Sequence, residues 1–245
     1  MNFFLILFLI VLFNCSDSQN RGVFLEQLYS TKDDYNEYLF KRSDGLHNIK
    51  GYNVQDSSFG LIMVHGYYPK NWQSKGFEWI EPMHALSKNK IPMWFFKYDW
   101  EGCSNDIADS LKKHAMYLIE NNNHLDSLWF MGHSYGGLIS SLLSEKWDMD
   151  FPISVHSIAA PLKSINRSDD SCPTIQRFEY NIAQNVKYTQ WKTIQSSDGA
   201  FKHLNYDPQM IKINNGEVIT LPSDWEEKRL GHNRSILFVA EQLTH

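Results

Sequence analysis

A serine, an aspartate and a histidine stand in this chain in an order suited to nucleophilic catalysis. Ser134 occupies the centre of Gly132-His133-Ser134-Tyr135-Gly136, a G-x-S-x-G pentapeptide. A serine hydroxyl is a weak nucleophile until a base takes its proton, and that base needs a third group to orient it. Ten histidines are available, and His232 is the candidate base. It lies in a Gly231-His232-Asn233 turn before the last helical stretch, and imidazole titrates near neutrality. Asp198 lies between the two in chain order, in the loop Gln195 to Phe201. A carboxylate there would accept the Nδ1 proton, fix the tautomer and stabilise imidazolium. Asp207 and Asp224 are the fallbacks for the acid. His133 adjoins Ser134, but a sharp turn points it elsewhere, so it is set aside as the base.

The stretch Leu128 to Leu143 is what positions Ser134. Leu128-Trp129-Phe130-Met131 is an apolar run, and Gly137 to Glu145 carries Leu138, Ile139, Leu142 and Leu143 at helix-compatible spacing. Buried strand, tight turn and helix is the context that a G-x-S-x-G nucleophile requires. Gly132 and Gly136 flank the serine where strand and helix backbones must approach closely. The helix N-terminus then faces the site of a developing anion. The backbone N–H of Tyr135 is one candidate donor to that anion. A second comes from the strand Phe59 to Val64, which runs into His65-Gly66-Tyr67-Tyr68-Pro69, and the N–H of Tyr67 is the candidate there. The His65 side chain reads as a brace for that loop.

The rest of the chain alternates in the same way. Val23 to Tyr29 suits a short helix or strand, and Asn48 to Val54 an early strand. A helix is expected within Asn71 to Asn89, a strand within Lys90 to Tyr98 and a helix over Asp106 to Asn121. Strands follow at Pro152 to Ala160 and Val186 to Ile194, then a short polar-apolar segment at Ile211 to Ile219. A closing helix spans Ser235 to Leu243. Strands alternating with helices imply a mostly parallel sheet covered on both faces. Residues 162–183 have no clean period and form either a small lid or a plain surface connection.

A length of 245 residues fits one large α/β domain over 21–245, preceded by 1–20 as signal peptide and tether. The formal net charge of -5, with no basic block, argues against nucleic acid as a partner. Phe3 to Phe13 is an unbroken apolar run too short for an ordinary span, and polar residues follow it. That pattern predicts export. Leu12-Phe13-Asn14-Cys15 resembles the lipobox of bacterial lipoproteins, with Asn14 in place of the usual small residue. The resemblance implies lipidation at Cys15 and anchoring to a membrane; the alternative is secretion with Cys15 removed. Cys103 and Cys172 remain, and in an exported protein they either pair or stay as separate thiols. Neither has metal-ligand spacing to another Cys or a His, so no metal site is expected.

On strand-His65-Gly66, Gly132-His133-Ser134-Tyr135-Gly136-Gly137, the Asp198 loop and the Gly231-His232 loop, residues 40–243 resemble the α/β-hydrolase superfamily. Gly-His-Ser-x-Gly-Gly is similar to its lipases, esterases and the deacylases that act on lipid anchors. The resemblance implies an eight-stranded, mostly parallel sheet, no cofactor, and hydrolysis of an ester or thioester through an acyl-enzyme. Its substrate would be an acyl ester, lipid-like in class. The aromatic residues Tyr67, Tyr68, Trp72, Trp100 and Tyr135 either line an acyl pocket or brace the loops. The superfamily also contains binding and scaffold members without activity, so the fold leaves a non-catalytic lipoprotein open.

Overall fold

The computed structural model describes residues 22–29, 35–70, 72, 74–163, 172 and 177–244. The apolar leader, Cys15 and most of the 162–183 insert lie outside the described residues. Among those described, no helix is long and apolar enough to cross a membrane.

The elements follow the chain as β1 (Val23–Phe24), α1 (Tyr35–Leu39), β2 (Gly45–Lys50), β3 (Phe59–Val64), α2 (Phe77–Leu86), β4 (Met93–Lys97) and α3 (Ser104–Glu120). Next come β5 (Ser127–His133), α4 (Tyr135–Glu145), β6 (Ile153–Ile158), β7 (Glu179–Asn181) and β8 (Val186–Lys192). The chain ends with β9 (Lys212–Asn214), β10 (Glu217–Thr220), β11 (Asp224–Trp225), β12 (Lys228–Arg229) and α5 (Arg234–Gln242). An eight-stranded sheet has the order β1-β2-β4-β3-β5-β6-β8-β10. From β4 to β10 every pairing is parallel, whereas β2 runs antiparallel to β4 and carries β1 at the edge. The pairs β7·β9 and β11·β12 stand apart from it.

Alternation along the central strands explains why they are apolar throughout. Ile62, Val64, Leu128 and Phe130 pack with Ile107, Leu111, Ile139 and Leu142 of α3 and α4. Leu61, Met63 and Met131 pack with Trp79, Ile80, Ile236 and Val239 of α2 and α5 on the other face. A strand covered on both faces has no solvent side on which to place polar residues.

The differences from expectation lie at the edges. The early strand is Gly45–Lys50, four residues upstream of the stretch expected to end at Val54. Its burial alternates, because one face of β2 is less covered than the other. Val23 to Tyr29 is divided between a two-residue strand and a 3₁₀ turn at Leu25–Gln27. The segment Ile211 to Ile219 holds two strands, of which β10 closes the sheet.

Because the core strands are parallel, their C-terminal ends share one edge. Loops after β3, β5, β8 and β10 all emerge there. At this edge the connections diverge on either side of β3, which lies between β4 and β5, and such a switch point is where open α/β sheets form sites.

Candidate active site

Ser134 is the hinge between β5 and α4. Its backbone takes φ 54 and ψ -119, a conformation that non-glycine residues rarely adopt. Ser134 N–H donates to Ile158 O at 2.8 Å, fixing the turn to the end of β6. The flanking glycines are dictated by contact. A Cβ on Gly136 would lie 2.1 Å from Val64 O and 2.3 Å from His65 O. One on Gly132 would lie 2.4 Å from Gly136 O. Any side chain at either position would drive strand and helix apart.

The acid comes from the loop after β8. Asp198 is fully buried, and each of its oxygens accepts two hydrogen bonds. Oδ1 accepts from Ala200 N at 2.8 Å and Phe201 N at 3.2 Å. Oδ2 accepts from Thr193 Oγ1 at 2.6 Å and lies 3.0 Å from His232 Nδ1. Burial pushes this carboxyl up, but the hydrogen bond and charge of His232, with Thr193 and Ala200, outweigh it and hold it below the usual carboxylate range. Since the carboxylate only accepts, Nδ1 of His232 carries the proton and Nε2 is left with its lone pair. The His232 ring is also flanked by Phe201 at 4.9 Å and His133 at 4.7 Å between centroids.

Behind the acid lies a polar layer. Gln209 is fully buried; its Oε1 accepts Thr193 N–H at 2.9 Å and its Nε2 donates to Thr193 O at 3.1 Å. Gln190 Nε2 donates to Gln209 O at 2.7 Å. This layer fixes Thr193, which in turn fixes Asp198. The fallback acids have other partners than His232. Oδ1 of Asp207 accepts from Gln209 N at 3.0 Å and Gln209 Nε2 at 3.2 Å, within the polar layer, and Asp224 accepts from Ser223 Oγ at 2.6 Å in an exposed hairpin.

The loop after β3 passes close to the serine: a Cβ on Gly66 would lie 3.2 Å from Ser134 Cβ. That approach puts the Gly66–Tyr67 backbone beside Ser134. His65 braces the loop. Its Nδ1–H donates to Gly66 O at 2.7 Å, its Nε2 accepts Tyr98 N–H at 3.3 Å, and its ring stacks on Tyr98 at 4.0 Å. Complete burial pushes this imidazole down to about 3, so it is neutral. Phe40, Tyr68 and Trp100 pack around it. Tyr68 and Trp100 therefore brace the loop, and the Tyr135 hydroxyl donates to Gly102 O at 3.0 Å. Tyr67 and Trp72 expose 42% and 46% of their surface, so these two are the aromatics open to a ligand.

One residue after Gly102, Cys103 is joined to Cys172 by a disulfide of 2.08 Å. It ties the segment after β6 to the start of α3. Among the described residues, no cluster of His, Cys, Asp and Glu has the form of a metal site.

The sequence reading does not reach Thr193 or Gln209, and it sets His133 aside. Thr193 and Gln209 carry no local signature, because their importance depends on a pairing across 16 residues. His133 lay inside the recognised motif, and its ring faces His232.

No family model and no curated protein matches the chain. Solved structures do resemble it. Est1E from Butyrivibrio proteoclasticus, in a structure with ferulic acid bound, aligns with TM-score 0.52 and 11% identity, covering 82% of this chain and 92% of that one. The poly(3-hydroxybutyrate) depolymerase LpqC from Bordetella parapertussis aligns with TM-score 0.52 and 12% identity, covering 81% and 82%. A lipase-esterase related protein from Clostridium acetobutylicum aligns with TM-score 0.51 and 11% identity, covering 81% and 96%. At this identity the likeness is one of fold, and the fold is that of the α/β hydrolases.

Proposed function

We propose that the protein is a serine hydrolase of carboxylic esters, with Ser134 as nucleophile, His232 as base and Asp198 as the acid that orients it. The observation that carries this reading is the 3.0 Å contact of His232 Nδ1 with a buried, ionised Asp198, with the His232 ring 4.7 Å from that of His133, the residue before a serine held at positive φ. Ser134 Oγ bonds to the acyl carbon while its proton passes to Nε2 of His232. The carbonyl oxygen becomes an oxyanion, facing the N–H groups of Tyr67 and Tyr135. When the carbonyl reforms, the bond to the alcohol breaks and the leaving oxygen takes the proton from His232. Water, deprotonated by the same imidazole, then attacks the acyl-serine. The proton taken from water stays on Nε2 until the acyl–oxygen bond breaks and Ser134 Oγ takes it, which releases the acid and restores the enzyme.

The poly(3-hydroxybutyrate) depolymerase and the lipase-esterase related protein among the neighbours support ester chemistry. A lipid-like ester, met by a protein anchored through Cys15, is the finer reading. It rests on the leader sequence and on exposed Tyr67 and Trp72.

The test is labelling with a fluorophosphonate probe, which bonds only to an activated serine. Wild type should label, and Ser134→Ala should not, with unchanged melting. An unlabelled wild type defeats the enzyme reading; a mutant that labels equally defeats Ser134. Turnover of p-nitrophenyl esters of rising acyl length then decides the substrate, and a preference for acetyl would exclude the lipid-like class.

A further inference from the structure

We propose that His133 is a positioning residue that registers the base against the nucleophile, by donating a hydrogen bond from its Nε2–H to the main-chain carbonyl of His232. This rests on the proposed role of His232.

Nε2 of His133 lies 3.1 Å from His232 O, across 99 residues of sequence. A carbonyl can only accept, so Nε2 must carry the proton. Nδ1 then holds the lone pair, and it finds no hydrogen-bond partner among the described residues. An imidazolium there would need an acceptor at Nδ1 and would be charged in a buried position next to His232. The ring therefore stays neutral; burial first, and the charge of His232 second, push it well below the ordinary histidine range. With its one proton committed to a carbonyl, His133 is neither a second base nor a proton relay. What it supplies is geometry.

That geometry has a specific value. Three contacts fix His232. Ser235 Oγ donates to the same carbonyl at 2.5 Å, but Ser235 is three residues away at the start of α5 and moves with it. Asp198 fixes the ring relative to the loop after β8. His133 fixes it relative to Ser134, because His133 is its chain neighbour and the last residue of β5, in register with Ile158 of β6. Ser134 N–H is bonded to that same Ile158. Nucleophile and base are thus referred to one point of the sheet. Efficient proton transfer demands this, since a misplacement of about 1 Å can lower turnover by about 10²-fold.

The test compares His133→Gln with His133→Asn. A glutamine amide reaches the position of the histidine Nε2 and can still donate to the carbonyl. An asparagine amide stops at the level of Nδ1 and cannot. We expect His133→Gln to retain kcat within about threefold and His133→Asn to lose about 10²-fold, with KM little changed in both. The downfield proton NMR signal of His232 Nδ1–H should persist in the Gln variant and broaden in the Asn variant. Should Asn fail to fold, His133→Phe fills the volume without a donor and takes its place. Parallel loss in the donor and non-donor variants, or no loss in either, overturns the proposal. If wild type takes up no fluorophosphonate, the hydrolase reading fails, and the NMR comparison still decides whether His133 positions His232.

Discussion

The nucleophile and the acid that supports its base are held in place by opposite means. Ser134 is fixed by backbone against backbone. Strand β3 and helix α4 approach so closely that a Cβ on Gly136 would lie 2.1 Å from a carbonyl oxygen. Asp198 is fixed by side-chain chemistry: four donors on one carboxylate, with Thr193, Gln209 and Gln190 behind them. Its own loop has room to spare, and a Cβ on Gly199 would meet nothing within 4 Å. Steric constraint leaves only one residue type possible at a position. A polar network constrains donors and acceptors and leaves the neighbouring backbone tolerant. The two halves of the site should therefore fail differently.

The largest effect should come from breaking the polar half at its centre. Asp198→Asn keeps the shape of the side chain but can turn an N–H toward His232, favouring the wrong tautomer. Turnover of an ester substrate should fall by about 10⁴-fold while the melting temperature changes little. Asp224→Asn, in an exposed hairpin, should leave kcat within about twofold, and Asp207→Asn, whose carboxylate reaches Asp198 only through Gln209 and Thr193, should lose far less than Asp198→Asn. A comparable loss in either would move the acid.

The contrast is sharpest between two glycines. Gly136→Ala forces a methyl group into the carbonyls of Val64 and His65, which belong to the central strand and cannot retreat. Overpacking of this kind should cost more than about 3 kcal/mol, read as a drop in the urea midpoint. Gly199→Ala, in the acid loop, should stay within about 0.5 kcal/mol of wild type. Equal cost in the two would mean that the halves do not differ as described.

The same contrast explains what was legible in the sequence. The elbow is written locally: an apolar run, a G-x-S-x-G turn and a helical stretch. The strand Phe59 to Val64 was legible for a related reason, since burial on both faces leaves it uniformly apolar. The reading placed Asp198 and His232 in loops by order and position, and the structure brings the two together. Thr193, Gln209 and the role of His133 were not legible, because each acts through a partner distant in the chain. The edges blurred too. β2 has one face less covered than the other and begins well before its expected start, and β10 is so exposed that its pattern does not announce a strand.

The two halves should also differ in their response to acid. Burial is the chief cause that lowers the pKa of all four buried histidines among the described residues: His47 lies below its ordinary value, His133 well below it, His156 at about 4 and His65 at about 3. Unfolded, each would titrate near 6.5. Between these limits the unfolded chain binds more protons, so stability is intact above about pH 6.5 and falls as the pH drops. His65, His133 and His156 should each contribute a slope of about 1.4 kcal/mol per pH unit around pH 5. Asp198 adds nothing there, because its carboxyl lies below the usual range when folded and is still largely ionised when unfolded. Its stabilising contribution is lost only at lower pH, as the acid falls through the unfolded and then the folded value. Acid should thus strike the steric half, which holds His65 and His133, before it strikes the polar half. His156 separates titration from catalysis. It sits on β6 away from the serine, accepting Trp191 Nε1–H at 3.2 Å beside Trp129. Urea unfolding from pH 7 to pH 4.5 should show the decline, and His156→Gln should make it shallower by about 1.4 kcal/mol per pH unit around pH 5. The variant should label with fluorophosphonate at the wild-type rate. A slope unchanged by the substitution would mean that His156 takes up its proton without unfolding, and the assignment of acid sensitivity to buried histidines would fail.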